Sequence, residues 1–295
     1  MRTWIKRVLW GVGGVAVLLG GAIGGGLWQY QQRSHRMVDV PSRSFADSTD
    51  LARGRYLFES RGCTECHGAN GAGRVFADEP GLRIKGPNIT TGPGSVVQHY
   101  GNTDWERAIR HGADRTGRPL LVMPSEDYAR FTDADLAAIV AYVKALPPME
   151  GTGADVRLPL IARVLYGFGM IPDAASRIDH QAAPAQPVQE GLTVEHGRYV
   201  AQMCQGCHND KFSGGPIPGA PPDWPATANL TPGGGAMERY PDDARFFAFM
   251  RSGKRPDGTA VKIMPFDSLG KMSDVDLGAL RLYLRTLPAT PTGQH

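Results

Sequence analysis

The longest run of apolar positions lies near the N-terminus of the chain. Residues 8–28 contain no charged side chain, and a helix of this length can cross the hydrocarbon core of a membrane. Basic residues precede the run, and Trp10 and Trp28 lie near its ends, where aromatic rings prefer the interface. The pattern predicts an uncleaved transmembrane anchor over residues 1–30. A cleaved signal peptide is the alternative, because glycines dilute the hydrophobicity and residues 22–24 are small enough for a peptidase. Both interpretations export the remaining chain.

Two kinds of amphipathic helix follow, and each is predicted to occur twice. Thr132 caps the first kind with an acidic residue three positions on, the apolar positions recur at helical spacing, and Pro147-Pro148 ends it. Residues 273–288 repeat this design. The second kind is predicted over residues 103–112, again with an acidic residue three positions after its start, and its counterpart spans residues 242–253.

The segments between these helices are rich in glycine and proline, as in "GPNITTGPGS" at residues 86–95. They contain no sustained alternation of apolar and polar positions, which is the usual pattern of a strand. We therefore expect no sheet, and the predicted fold class is all-α.

The chain also contains an internal repeat with an offset of 141 residues. The offset superposes Cys63 on Cys204 and continues without a gap through the last helix, whereas the register slips by two residues upstream of the cysteines. Between the copies, residues 157–170 are expected to form a short amphipathic helix against a domain, and the segment from Gln181 has the composition of an extended tether. The predicted units are an anchor (1–30), a first domain (44–149), a linker (150–189) and a second domain (190–295).

The net charge of +3 comes from the N-terminal segment. Residues 1–36 contain five of the 32 Lys and Arg residues and no acid, which leaves 27 basic against 29 acidic residues in the rest. That part has no basic stripe with interleaved aromatics of the kind that follows phosphates. Nucleic acid is therefore not an expected partner.

All four cysteines lie in two Cys-x-x-Cys-His pentapeptides, within "CTECHG" and "CQGCHN". Disulfides fit poorly, because two intervening residues are a short span and the His would have no role. A zinc site would require the two copies to meet, and a thioredoxin-like dithiol lacks its βαβ context. Covalent haem attachment explains both cysteines and the His, since the sulfurs bond the haem vinyl groups and the imidazole binds iron. The sequence thus predicts two haem c groups, held by Cys63, Cys66, Cys204 and Cys207.

Each predicted iron, bound by His67 or His208, has one further axial position. Met123 and Met264 each follow their His by 56 residues, each in a polar loop and each before a proline. Core packing is the ordinary role of a lone Met and fits Met250 within "FFAFMRSG". The shared loop position instead predicts His67 with Met123, and His208 with Met264, as iron ligands.

Each repeat resembles a class I cytochrome c domain, through "CTECHG", "GPNI" and "MP" in the first copy and "CQGCHN", "TANL" and "MP" in the second. In that family the carbonyl of the proline accepts the N–H of the haem-binding His and orients its ring. The resemblance gives this role to Pro87 and places Asn88 near the haem propionates. In the second repeat Ala228 replaces the proline, so a looser turn is implied, and Asn229 corresponds to the asparagine.

More narrowly, residues 123–148 resemble the multihaem cytochrome subunits of membrane-bound bacterial alcohol and sugar dehydrogenases. Those subunits usually carry three Cys-x-x-Cys-His motifs, whereas this chain has two. The resemblance implies an electron carrier rather than an enzyme. It would pass single electrons between a periplasmic dehydrogenase or quinol-oxidising complex and a terminal acceptor. The implied location is the bacterial inner membrane, with the N-terminus cytoplasmic and the haem domains periplasmic. The alternative is a dihaem enzyme, of the peroxidase or thiosulfate-oxidising type, with one haem open to substrate.

Overall fold

A computed structural model describes residues 2–217, 219–221 and 223–294. The first helix, α1 (Arg2–Ser34), continues four residues beyond the anchor predicted over residues 1–30. Its apolar side chains are exposed, Leu18 by 75%. Among the described residues, it is the one helix long and apolar enough to cross a membrane.

Helices dominate both repeats. The first repeat contains α2 (Leu51–Ser60), α3 (Cys63–His67), α4 (Asn102–His111) and α5 (Asp133–Ala145). The segment between the repeats contains α6 (Leu160–Gly167). The second repeat contains α7 (Val194–Ala201), α8 (Gln205–His208), α9 (Asp243–Ser252), α10 (Phe266–Leu269) and α11 (Asp274–Leu284). Short 3₁₀ helices lie at Ser125–Asp127, Ala174–Ser176, Gln202–Cys204 and Met237–Arg239.

The helix caps agree with the sequence pattern at three of the four predicted starts. The side chain of Thr132 accepts a hydrogen bond from Asp135 N at the start of α5, and Ser273 does the same for Asp276 N at α11. Asp242 caps α9 as predicted. The predicted start of α4 at residue 103 is wrong, because Gly101 is the cap and the side chain of Asp104 bonds its N–H.

The expectation of no sheet is wrong. Three short strands, β1 (Val75–Glu79), β2 (Leu82–Lys85) and β3 (Asp155–Arg157), form an antiparallel sheet in that order. Glu79 pairs with Leu82, so Pro80 and Gly81 make a two-residue turn, and Gly81 has φ of +82°. Pro-Gly favours such a turn because proline fixes φ and glycine accepts a positive one. The strands are too short and too charged to show the alternation on which the all-α prediction relied.

Each repeat is organised around a crossing of its first and last long helices. In the first, Gly54 of α2 lies against the backbone of α5, where an added Cβ would come within 2.0 Å of Ala138 O. In the second, Gly197 of α7 lies against the backbone of α11, where an added Cβ would come within 1.9 Å of Ala279 O. One apolar core surrounds the first crossing and a second core surrounds the other. The absence of a side chain at these glycines lets the helices approach closely enough to bury both cores.

The segment between the repeats is more structured than a tether. Its first part contributes β3 to the sheet, and α6 packs against the C-terminal part of α1 rather than against a haem-motif domain. In the tether predicted from Gln181, residues 183–190 have an irregular backbone without helix or strand. They follow the surface of the first repeat, where Ala185 N donates to Arg130 O.

Candidate functional site

The four cysteines form no disulfide with one another, and the first cysteine of each pentapeptide lies at the edge of a core. Cys63 packs against the first core and Cys204 against the second. Burial raises the pKa of Cys63 and of Cys204 to about 12, and that of Cys207 to about 11. Burial also raises the pKa of Cys66. These thiols are therefore neutral at ordinary pH.

The histidine of each pentapeptide is fixed by a backbone carbonyl twenty residues further on. His67 Nδ1 lies 3.1 Å from Pro87 O, and His208 Nδ1 lies 2.8 Å from Ala228 O. Because a carbonyl oxygen only accepts, each Nδ1 carries the proton and donates it. Burial lowers the pKa of both rings, which the carbonyls partly offset. Each His is thus a neutral imidazole whose Nε2 has a lone pair for a metal.

The second repeat keeps this contact without a proline. Thr227 Oγ1 donates to Cys207 O at 2.9 Å and contacts Gly215 O at 2.9 Å. The matching position in the first repeat is Gly86, where an added Cβ would come within 2.0 Å of Cys66 O. In the second repeat, the hydroxyl of Thr227 therefore joins this loop to the pentapeptide helix by a hydrogen bond. In the first repeat, close backbone contact at Gly86 holds the two together.

Met123 and Met264 are each partly buried against the core of their own repeat. Met123 contacts the core that also receives Cys63, and Met264 contacts the core that receives Cys204. A short helical turn follows each Met-Pro pair, at Ser125–Asp127 and at α10. In each repeat, the first cysteine of the pentapeptide and the methionine of the Met-Pro pair therefore contact the same core.

Asn88 and Asn229 organise the loops beside these groups. Asn88 Nδ2 donates to Met149 O at 2.8 Å, and its Oδ1 accepts from Thr90. Asn229 makes the matching contacts with Thr290 O and with Thr231. Both amides fasten the loop to the segment after the last helix. Their predicted position beside the haem propionates stays a prediction.

The two repeats meet through a reciprocal set of contacts. Tyr56 of α2 donates to Asp276 Oδ2 and accepts from Ser273 N at the start of α11. Tyr199 of α7 donates to Asp135 Oδ2 and accepts from the backbone of residue 132 at the start of α5. Both tyrosines occupy the same place in their repeats, so the interface has the self-complementary pattern of a two-fold pair.

The pentapeptide helices belong to this interface. Gly206 N of α8 donates to Asp127 Oδ1 at 2.7 Å, just after the first Met-Pro pair. In the reciprocal position, Ser268 Oγ of α10 donates to Glu65 Oε1 of α3 at 2.8 Å. Burial raises the pKa of Asp127 well above its usual range. Each Cys-x-x-Cys-His segment therefore touches the Met-Pro loop of the other repeat.

A buried ionic cluster breaks the symmetry on one side. Asp276 accepts from Arg61 and, at 2.7 Å, from His196 Nε2, and all three side chains are almost fully buried. Burial opposes ionisation of Asp276, but Arg61, Tyr56 and His196 outweigh it and hold the pKa of that carboxyl below its usual value. The sequence reasoning missed this cluster because it assigned Asp276 only to helix capping. With the two-residue slip in register, His196 aligns with Arg53. Arg53 binds Asp135 within the first repeat, as His196 binds Asp276 within the second.

The donor sets fit haem c better than zinc. No three His, Cys, Asp or Glu side chains are grouped as a metal site anywhere in the described part of the chain. The two Cys-x-x-Cys pairs thus supply no joint four-thiolate centre. Each repeat instead offers two neutral thiols, one oriented imidazole and one thioether, the groups that a covalently attached haem uses.

Residues 51–147 match the family model described as cytochrome c. Three of the similar proteins illustrate the wider likeness. The cytochrome c subunit of alcohol dehydrogenase (quinone) from Gluconacetobacter polyoxogenes is 28% identical, over 84% of this chain and 58% of its own length. The fructose dehydrogenase cytochrome subunit of Gluconobacter japonicus is 26% identical, over 84% and 55%. The cbb3-type cytochrome c oxidase subunit CcoP of Helicobacter pylori (strain 52) is 32% identical, over 40% and 35%.

This chain spans just over half the length of the two dehydrogenase subunits. The family match covers the first pentapeptide, its His and the first Met-Pro pair. The likeness to the dehydrogenase subunits extends over most of the chain. Residues 51–147 therefore match a cytochrome c domain, in a chain that is similar to the cytochrome subunits of an alcohol dehydrogenase (quinone) and a fructose dehydrogenase.

Proposed function

We propose that the chain is a membrane-anchored dihaem cytochrome c that relays single electrons and catalyses no reaction of its own. The observation that carries the proposal is the equivalence of the two repeats at the cysteine, histidine and methionine positions. His67 and His208 are oriented by matching carbonyls. Cys63 and Met123 border the first core, and Cys204 and Met264 border the second. Two tandem cytochrome c domains, over residues 44–149 and 190–295, follow from this equivalence.

In this proposal Cys63 and Cys66 hold one haem and Cys204 and Cys207 the other. His67 and Met123 bind the first iron, and His208 and Met264 the second, with Pro87, Asn88, Ala228 and Asn229 supporting the ligand loops. The bound haem supplies a one-electron Fe(III)/Fe(II) couple. The thioether ligand would favour the reduced state, and the hydrogen bond from each imidazole Nδ1 to its backbone carbonyl fixes the orientation of the ring. With a histidine and a methionine of the chain holding each iron, substrate would have no open coordination position.

The interface supports transfer between the repeats. The helix that carries Cys63 to His67 contacts α10, directly after Met264-Pro265. The helix that carries Cys207 and His208 contacts the turn directly after Met123-Pro124. Each haem-attachment segment is therefore adjacent to the other repeat, an arrangement that keeps the distance between the two sites short.

The names of the similar proteins support the partner class. The relatives include cytochrome subunits of alcohol and fructose dehydrogenases and a subunit of a cytochrome c oxidase. We infer that the partners are a periplasmic dehydrogenase or a quinol-oxidising complex on one side and a terminal acceptor on the other. Helix α1 would anchor the chain in the inner membrane, with its basic N-terminal end cytoplasmic and the haem domains in the periplasm.

The test is haem stoichiometry and ligand reactivity in the full chain, matured in a host that attaches haem c. We expect two covalent haems per chain by pyridine haemochrome absorbance, and one in a variant with Cys204→Ala and Cys207→Ala. Redox titration should resolve two one-electron steps. Cyanide and carbon monoxide should leave both spectra unchanged on the mixing timescale. Rapid ligand binding at one haem, or peroxide turnover, would favour the dihaem enzyme instead, and fewer than two haems would contradict the relay.

Extraction in mild detergent tests the partners. We expect the chain to co-purify with a dehydrogenase or a respiratory complex, and the isolated complex to reduce the haems with the substrate of that partner. Recovery of the chain with soluble proteins only would contradict the membrane assignment.

A further inference from the structure

Helix α6 packs against α1 at the level where the apolar run of α1 ends. Gly26 is buried under α6, and an added Cβ there would come within 2.7 Å of Val164 Cγ1 and 3.0 Å of Phe168 Cε2. At Gly167 an added Cβ would come within 2.0 Å of Gly26 O, so the two backbones touch. The rings of Tyr30 and Tyr166 meet edge to face at 5.6 Å. This contact is close and continuous over the last turns of α1.

The depth of the contact follows from helix geometry. Residues 8–28 span about 31 Å at roughly 1.5 Å per residue, which matches the thickness of about 30 Å of a hydrocarbon core. Gly26 precedes Trp28 by two residues, so it lies about 3 Å inside the end of that span. An α1 that crosses the membrane therefore places α6 at the membrane surface.

The free side of α6 and the residues after it are apolar. The exposed fractions are 64% for Ile161, 52% for Phe168 and 67% for Met170. Arg163 is the one charged residue in Leu160–Gly167. Such a cluster of exposed apolar side chains is unfavourable in water. The exposed apolar surface of α1 lies beside this cluster. If α1 crosses the membrane, lipid therefore surrounds the cluster as well.

The other side of the pair connects this region to the folded chain. Arg36, just after α1, binds both carboxylate oxygens of Asp173, each at 2.7 Å, and Asp173 is buried. Arg33 lies over the ring of Tyr166 at 5.5 Å. The end of α1 and the segment after α6 are thus held together by charged groups on the side away from the apolar run.

We propose that α6 and residues 168–170 form a second membrane-contacting element, lying in the membrane interface beside α1. Ile161, Phe168 and Met170 contact lipid acyl chains there. With α1, this element fixes the height and tilt of the cytochrome repeats above the bilayer, which a single spanning helix leaves free to rotate. The inference rests on the proposed insertion of α1.

The experiment places a photoreactive benzoylphenylalanine in the full haem-loaded chain, reconstituted in vesicles of phosphatidylethanolamine and phosphatidylglycerol. The test position is Phe168, with Ile161 as a second position that does not contact Gly26. The matched control is Phe76 of β1, whose exposed fraction of 49% is close to the 52% of Phe168. Leu18 reports the insertion of α1 independently. Mass spectrometry identifies the phospholipid adducts.

We expect phospholipid adducts at Leu18, Phe168 and Ile161, at least tenfold above Phe76. Adducts at Leu18 with only background at both test positions would overturn the inference and leave the anchor intact. Background at Leu18 would overturn the membrane assignment and the inference together. In native membranes, adducts of Phe168 and Ile161 with a polypeptide rather than lipid would also overturn it, because a partner subunit would then cover this face.

Discussion

Tyr199 of the second repeat donates a hydrogen bond of 2.6 Å to Asp135 Oδ2 of the first repeat. Tyr56 returns the contact by donating to Asp276 Oδ2. Each carboxylate belongs to the residue whose backbone N–H completes the cap of a final helix. The same residue therefore fixes the start of the last helix of its own repeat and the position of the other repeat. Changes at these residues act on the relative position of the two haem-attachment segments as well as on folding.

Asp276→Asn should strongly destabilise the chain. The substitution leaves Arg61 without its carboxylate partner, and the side chain of Arg61 is only 3% exposed. Removal of one partner from a buried ion pair typically costs roughly 3–5 kcal/mol. We expect a loss of that size in the free energy of unfolding, measured by denaturant titration of the haem-loaded chain.

Asp135→Asn is the matched variant for this prediction. Its partner Arg53 is more exposed, at 23%, so water can solvate the guanidinium once the carboxylate is gone. We expect a smaller loss than for Asp276→Asn. Equal losses for both variants would show that the burial of Arg61 is not what makes the cluster costly to break.

The effect of Asp276 should also depend on pH. Its pKa is held below the usual value in the folded chain, and that usual value is about 3.9. A depressed pKa stabilises the fold above the usual value, and this contribution is lost as the pH falls through the folded-state pKa. The difference in stability between the wild type and Asp276→Asn should therefore be full above about pH 5 and shrink below about pH 4.

The control for the pH dependence is Asp267→Asn, at an exposed position in α10. The free energy of unfolding of this variant should stay within about 0.5 kcal/mol of the wild-type value at each pH. Denaturant titrations at several pH values between 3 and 7 measure both variants. If the stability difference between the wild type and Asp276→Asn stays constant down to pH 3, the pKa of Asp276 is not depressed in the folded chain.

The sequence predicted the helices better than the contacts between them. Thr132 and Ser273 were recognised as caps because capping depends on residues three positions apart. The hairpin at Pro80-Gly81 was missed because its strands are short and exposed, so burial imposes no alternation on them. The cluster at Asp276 was also missed, since its partners come from distant parts of the chain. Aligning the repeats identifies equivalent residues, but it does not predict that the two repeats pack against each other.

Met123→Ala and Met264→Ala test the proposed axial ligands one at a time. Each substitution should open one coordination position, so carbon monoxide should bind one haem of the two in the reduced chain. The sulfur-to-iron charge-transfer band should fall by about half, and the potential of the affected haem should drop because the thioether favours Fe(II). Optical titration with carbon monoxide and spectroelectrochemistry measure these changes.

Met250→Ala is the control for loss of a methionine. Met250 is 4% exposed in the second core, so its truncation should cost about 2–5 kcal/mol of stability with no new ligand binding. Carbon monoxide binding in Met250→Ala but not in Met264→Ala would show that the axial ligand of the second haem has been misassigned.

Gly197→Ala tests whether the helix crossing of the second repeat tolerates a side chain. The new Cβ would lie 1.9 Å from Ala279 O, and a backbone carbonyl inside a helix cannot move aside as a flexible side chain could. We expect a cost at or above the upper end of the roughly 1–3 kcal/mol typical of overpacking, seen as early loss of the second haem environment on denaturation. Gly191→Ala is the control, because the nearest neighbour of a Cβ added there is a methyl group at 3.9 Å.

The first haem should keep its spectrum in both variants, since Gly54 makes the crossing in that repeat independently. Simultaneous loss of both haem environments would instead mean that the interface at Tyr56 and Tyr199 couples the repeats into one folding unit.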